Sequence, residues 1–364
     1  MLTAPPRFRP AALPVARMRH PSGQAGAGQR SQLAYTQSIM DRRSFLSTSL
    51  AAPLAAQPAP ARARPKIACT SFAFHPFNTA GVPDEAIDII GQTGFEGIEL
   101  IVNSREQLRD YWTEAKCSEL RKRLDRWGLE VAQFILFQPV VEGLTSLDAG
   151  ERARNLDFFE QGCRLARRMG APLINIVAPW ARELQGPQEY LPRYYDIENP
   201  KPGQKFRIEV AASFDWDKLW SAYVATTREC VERAKRHGIK LTIEHHTHTM
   251  IHDATSFLLL WNEIRDPALG YNLDVGWTLA QREYPVVAIH KVKRQLMNLH
   301  MRDIDGLMRR FPHIGEGVMD FRHIGQTLKQ IGYSGFLSLE QDKHPGDMKA
   351  TAARYLAAMK EALA

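Results

Sequence analysis

Four short segments end an apolar run in a side chain able to bind a cation. They are LTIEHH with Glu244, YNLDVG with Asp274, NLHMRD with His300 and LSLEQD with Glu340. Each run reads as a buried strand, and the polar residue stands where the strand stops. Three carboxylates crowded together away from water repel one another, and each carries a desolvation cost of several kcal/mol. A divalent cation removes both problems. Three carboxylates and one imidazole suit Mn²⁺ first, with Mg²⁺, Co²⁺ and Zn²⁺ also compatible. A lone histidine at a strand end is usually a hydrogen-bonded structural residue, and a lone acid is usually a helix cap. The weight of this set lies in four such residues at the same place in consecutive repeats.

The repeats themselves define the architecture. Eight apolar runs follow residue 64: 66–74, 97–102, 131–137, 172–178, 240–246, 270–276, 296–302 and 335–341. Helical patterns separate them, and five of these end at a glycine: Gly94, Gly128, Gly170, Gly238 and Gly332. Eight strand–helix units predict an α/β fold of the closed (β/α)₈ TIM-barrel class, in a single domain over residues 64–364. No strand is followed by GxGxxG, so a dinucleotide fold has no support. In such a barrel the four strand ends are neighbours at one side of the C-terminal mouth. The long connection at 181–212, with Tyr190, Tyr194 and Tyr195, is expected at the same mouth, as a lid or as a passive or oligomer-facing loop.

Strand period two extends the set. His246 shares a face with Glu244, and Arg302 shares one with His300; each is a candidate substrate contact or a structural support. Asp303 points the other way. His245, His248 and His252 fall on the loop after the fifth strand, and at least two of the three are expected to be solvent-facing or structural. Glu99 closes the second run and either reaches the mouth or forms an ion pair. Arg309 and Arg310 follow the seventh strand, where they meet substrate hydroxyls or solvent.

IEHH, NLDVG, NLHMRDID, LSLEQD and the turn HIGEGVMDF at 313–321 resemble the xylose isomerase-like TIM barrels, especially their sugar isomerases and epimerases. The resemblance covers roughly residues 66–363. It implies one divalent metal, Mn²⁺ foremost, held by Glu244, Asp274, His300 and Glu340. It also implies that Glu244 and Glu340 stand on opposite faces of the substrate as acid and base. Proton abstraction beside a carbonyl then yields an enediolate, and assistance of this kind contributes roughly 10²–10⁴-fold. Many family epimerases carry a histidine three residues after the sixth-strand aspartate. Here that residue is Trp277, whose aromatic face suits the C–H face of a sugar ring or glycoside. Isomerase or epimerase is the first reading. A lyase or hydratase acting on 3-keto sugars shares the same first step, and a non-catalytic carbohydrate-binding barrel is a third reading. An abasic-site endonuclease needs further metal ligands on strands two to four, where IELIVNS, FILFQP and INIVAPW hold no histidine.

Composition bounds the partners. Residues 1–63 hold eight arginines and one aspartate, so the entire net charge of +7 resides there and residues 64–364 balance at 39 basic and 39 acidic. The neutral barrel offers no nucleic-acid-binding face, and the expected partner is a small-molecule sugar or polyol. Oligomeric state is open, a homo-oligomer included. Residues 1–39 lack any amphipathic period and are expected to be a disordered extension ahead of a natural start at Met40. Residues 40–63 begin MDRRSFL, continue in a short apolar run and end at Ala61-Arg62-Ala63, the pattern of a twin-arginine signal. Periplasmic or exported location follows, with no membrane contact after cleavage. The four cysteines lack CxxC spacing and are expected as buried free thiols. Fusing residues 40–63 to a folded reporter should export it, and Arg42→Lys with Arg43→Lys should hold it in the cytoplasm. Fractionation showing equal export of both fusions would remove the signal assignment.

Overall fold

The computed structural model describes residues 64–76, 80–177, 184–185, 209–247, 249–307, 310–341 and 347–364, with backbone alone at 138, 139, 184, 185 and 209. The expected leader, Tyr190, Tyr194, Tyr195, His248 and Arg309 lie outside the described residues. The described part of the 181–212 connection includes a short antiparallel pairing of Leu184–Gln185 with Glu209–Val210.

Eight parallel strands close into a barrel: β1 (Lys66–Thr70), β2 (Gly97–Val102), β3 (Glu130–Leu136), β4 (Leu173–Val177), β5 (Lys240–Glu244), β6 (Leu269–Asp274), β7 (Leu296–Met301) and β8 (Phe336–Leu339). Each pairs with its sequence neighbours, and β1 pairs with β8. A helix follows every strand: α1 (Asp84–Thr93), α2 (Glu114–Trp127), α3 (Ala149–Met169), α4 (Trp216–Arg236), α5 (Ala254–Ile264), α6 (Pro285–Val292), α7 (Phe321–Ile331) and α8 (Met348–Leu363). Six of these eight helices start where short acceptor side chains cap free N–H groups, as Thr113 does for α2, Asp148 for α3 and Asp253 for α5. The five glycines expected at helix ends all take positive φ, between 65° and 90°. All four cysteines are buried free thiols. No helix among the described residues is long and apolar enough to cross a membrane.

The strands divide their side chains by parity. On β6, Tyr271 points outward and stacks on Phe257 of α5 at 4.4 Å between ring centroids. Gly270, Asn272 and Asp274 point into the barrel. Core packing between strands and helices therefore uses one parity, and the other is free for polar chemistry. The first run is shorter than expected. Its pairing with β8 ends at Cys69 and with β2 at Thr70, so Ser71–Ala73 turns into a 3-10 helix instead of continuing as strand.

Asp303 follows β7 and points away from the mouth, as parity requires. Its buried carboxylate accepts N–H groups from Ile304, Gly315 and Gly317 at 2.9 Å and from Met319 at 3.0 Å. One side chain thus organises the whole HIGEGVM turn. A Cβ at residue 317 would sit 2.2 Å from Asp303 Oδ1, so glycine is required there. Asp303→Ala strands four donors, each costing about 1–3 kcal/mol if left unmet. The expected result is faster amide exchange at Gly315, Gly317 and Met319 and a lowered melting temperature, with Asp303→Asn intermediate. Unchanged exchange at those three amides would refute this role.

Candidate metal centre

Glu244 ends β5, Asp274 ends β6, His300 lies on β7, and Glu340 follows β8 by one residue. The register sets Asp274 directly beside His300, and His300 beside Ser338, two residues before Glu340. These four side chains each bring one ligand-type atom to within 4.8 Å of all the others, and all four are buried. The convergence expected from the strand ends is therefore present in the structure.

Their electrostatics are strongly coupled. His300 Nδ1 lies 2.5 Å from Glu340 Oε2 and 3.2 Å from Glu244 Oε1. Arg302 contacts Asp274 through Nε at 2.9 Å and Glu340 through its terminal nitrogen. Burial opposes charge on His300, but Glu244 and Glu99 outweigh it and push the imidazole up to about 10. Burial likewise works against ionised Glu244, yet His300 and His246 hold its carboxyl well below the usual range. Asp274 is raised, by burial first and by neighbouring Glu244, with Arg302 acting against both.

The donor set fits a hard divalent cation. Asp274 Oδ2 and Glu340 Oε2 are buried carboxylate oxygens with no aligned hydrogen-bond partner among the described residues, although cationic nitrogens lie close to both. Lone pairs turned into a buried centre without a donor are what a metal satisfies. The second oxygen of Asp274 is used otherwise, accepting the backbone N–H of Trp277 at 2.9 Å. Glu244 is oriented from behind by Asn175 Nδ2 at 2.9 Å and Asn272 Nδ2 at 3.2 Å.

Above these residues opens a cavity of about 260 Å³. Glu244, His246, Trp277, His300, Arg302 and Glu340 form its polar side. Phe72, Ile101, Ile135, Phe137 and Val177, from the β1–β4 half, form an apolar wall. His246 sits 3.4 Å from Glu244 Oε1 and packs on Trp277 with ring centroids 4.6 Å apart. Trp277 is buried edge-to-face against Phe311, and the Arg302 guanidinium lies over both rings, 5.7 Å and 4.5 Å from their centroids.

Other expected residues fall elsewhere. His245 is wholly buried on the outer side, stacked on Tyr271 at 5.3 Å, and burial with nearby His246 pushes it down to about 3, so it is neutral structure. His252 and Arg310 are exposed. Glu99 is the third residue of β2, not its end, so it lies below the mouth and pairs with His300 Nε2 at 2.9 Å. Sequence reasoning passed over the layer beneath the ligands. Thr242, Asn272, Asn298 and Ser338 each stand two residues before a ligand and are fully buried. Period two, applied backwards from each ligand, identifies all four.

Comparisons with known proteins show the same fold. The sequence is 22% identical over 254 residues to L-ribulose-5-phosphate 3-epimerase UlaE of Escherichia coli O157:H7, covering 69% of this chain and 79% of that protein. It is 22% identical over 244 residues to inosose dehydratase of Geobacillus kaustophilus, covering 62% and 72%. A shorter match, 29% over 136 residues, takes in 34% of this chain and 46% of the uncharacterized protein MJ1311 of Methanocaldococcus jannaschii. The solved structure of an L-ribulose 3-epimerase superposes with a TM-score of 0.63 at 18% identity, covering 82% of this chain and 94% of that one. A family model described as xylose isomerase-like TIM barrel matches residues 87–362, and the chain belongs to that family.

Proposed function

We propose that the protein is a divalent-metal-dependent sugar isomerase or epimerase that moves a proton beside a carbonyl. The observation that carries this reading is the convergence of Glu244, Asp274, His300 and Glu340 beneath one cavity. These four residues would hold the cation, with Mn²⁺ the first candidate for an oxygen-rich set. When bound, a divalent cation polarises a carbonyl and stabilises negative charge beside it.

The chain's own residues supply the rest. Glu244 and Glu340 both line the cavity; one takes the proton from the carbon next to the carbonyl, and the other returns a proton. His246, Arg302 and Trp277 touch the substrate from the polar side. Arg302 is already fixed by Asp274 and two aromatic rings, so it can orient a hydroxyl without paying for its own ordering. The apolar wall excludes water from the reacting carbon. A cavity of about 260 Å³ is at the small end of ligand pockets, which run from about 300 to 1,000 Å³, and suits a single small sugar or polyol.

A second reading is a lyase or dehydratase that begins with the same proton abstraction and then expels a β-hydroxyl as water. The similarity to an inosose dehydratase favours keeping it. The leader supports action outside the cytoplasm, on sugars present there.

Incubating the Mn²⁺-loaded protein with free ketoses and 3-keto-glycosides in D₂O, followed by NMR, tests the proposal. Deuterium should enter beside the carbonyl, with a new isomer in the first reading and loss of water in the second. Glu340→Gln should slow exchange at least about 100-fold. Saturable sugar binding with no exchange of any C–H would make the protein a carbohydrate-binding barrel instead.

A further inference from the structure

Beneath the ligands lies a fourth carboxylate that the proposed reaction does not use. Glu99 is completely buried on β2, far in sequence from the four ligands. Its oxygens are fully engaged. Oε1 accepts from Asn298 Nδ2 at 2.8 Å, and Oε2 accepts from Gln133 Nε2 at 3.0 Å and faces His300 Nε2 at 2.9 Å. Burying a carboxylate at no functional gain is costly, so its partners indicate its task.

The partners are themselves held. Asn298 Nδ2 also donates to Asn272 Oδ1 at 2.9 Å, and Asn272 Nδ2 donates to Glu244 Oε2 at 3.2 Å. On the other side, Thr242 Oγ1 lies 2.7 Å from Gln133 Oε1 and 3.1 Å from Asn175 Oδ1, and Asn175 Nδ2 donates to Glu244 Oε2 at 2.9 Å. The contacts close into a ring through β2, β3, β4, β5, β6 and β7. Glu99 and Glu244 sit at opposite points of that ring, both locked by amides.

His300 stands between these two glutamates. The other polar neighbours of its Nε2 are the amide donors Gln133 Nε2 at 3.5 Å and Asn272 Nδ2 at 3.2 Å. Glu99 is therefore the acceptor for Nε2 among the described residues. Nδ1 faces Glu340 and Glu244, and Asn272 Nδ2 lies 3.2 Å from it as it does from Nε2. We propose that Glu99 is a positioning residue: its carboxylate takes the Nε2–H of His300, fixes the ring plane, and turns Nδ1 upward as the ligating atom. This rests on the metal-site reading above. A carboxylate behind a ligating histidine raises the basicity of the bound nitrogen and selects its tautomer, and removing such a partner typically weakens metal binding about 10–100-fold.

The experiment is ¹⁵N NMR of the full chain labelled at histidine and loaded with Zn²⁺, a closed-shell probe. One ring, assigned by its loss in His300→Ala, should show a metal-bound Nδ1 and a protonated Nε2. Calorimetry with Zn²⁺ should show binding about 10–100-fold weaker in Glu99→Leu, and a smaller loss in Glu99→Gln, which keeps an acceptor. The wild-type NMR assignment stands even if Glu99→Leu fails to fold. His300 bound through Nε2, or a folded Glu99→Leu that binds Zn²⁺ as tightly as wild type, overturns the role of Glu99 while leaving the metal site intact. Wild-type protein that takes up no Zn²⁺ overturns the metal-site reading and this inference together.

Discussion

Buried negative charge is the constraint around which this barrel is organised. Glu99, Glu244, Asp274 and Glu340 are all at most 6% exposed and lie in one interior. Their described cationic or potentially cationic partners are Arg302 and the imidazoles of His300 and His246. One guanidinium and two imidazoles against four carboxylates leave negative charge uncompensated even with both imidazoles protonated. Each buried ion costs several kcal/mol unless paired, so the imbalance has to be relieved. Among the protein's own groups, burial and Glu244 raise the Asp274 carboxyl, and, against burial, Glu244 and Glu99 raise the His300 imidazole. A divalent cation would relieve the imbalance directly, turning the cost of the charge density into affinity.

The closed sheet makes this arrangement available. Inward-facing residues on each strand recur every second position, so they stack in storeys. The upper storey at β5 to β8 holds Glu244, Asp274, His300 and Glu340. The storey below holds Glu99, Gln133, Asn175, Thr242, Asn272 and Asn298, which hydrogen-bond to one another while Asn298 Oδ1 has no partner among the described residues. The upper storey would have little geometric definition without the lower one, because carboxylates on flexible stems adjust readily. Around the mouth the barrel is divided: polar groups come from β5 to β8, and Phe72, Ile101, Ile135, Phe137 and Val177 come from the β1 to β4 half. Titratable groups are therefore confined to one wall, and the facing wall is apolar.

The parts of this account legible in the sequence are those that repeat. Eight apolar runs separated by helix-ending glycines reveal the barrel, and four ligand-type residues at equivalent strand ends reveal the centre. Features formed by contact between distant segments were not legible. An ion pair was one of the two roles expected of Glu99, but its partner was not readable, because only closure of the barrel brings it to His300, 201 positions away. The asparagines of the lower storey carry a local signal, their place two residues before each ligand, but nothing in their type distinguishes a network from isolated buried amides. Trp277 reads as an open platform for a sugar ring; in the fold much of its surface is taken up by Phe311, His246 and Arg302. The first strand is shorter than its apolar run, which persists through Phe74, because pairing stops at Thr70.

The most direct test of the central claim is anomalous diffraction at the manganese edge from crystals of this protein grown with saturating Mn²⁺. A single strong peak is expected, enclosed by carboxylate oxygens of Glu244, Asp274 and Glu340 and by Nδ1 of His300. No peak there, with Arg302 still engaging Asp274 and Glu340 and only water between the four side chains, would contradict it.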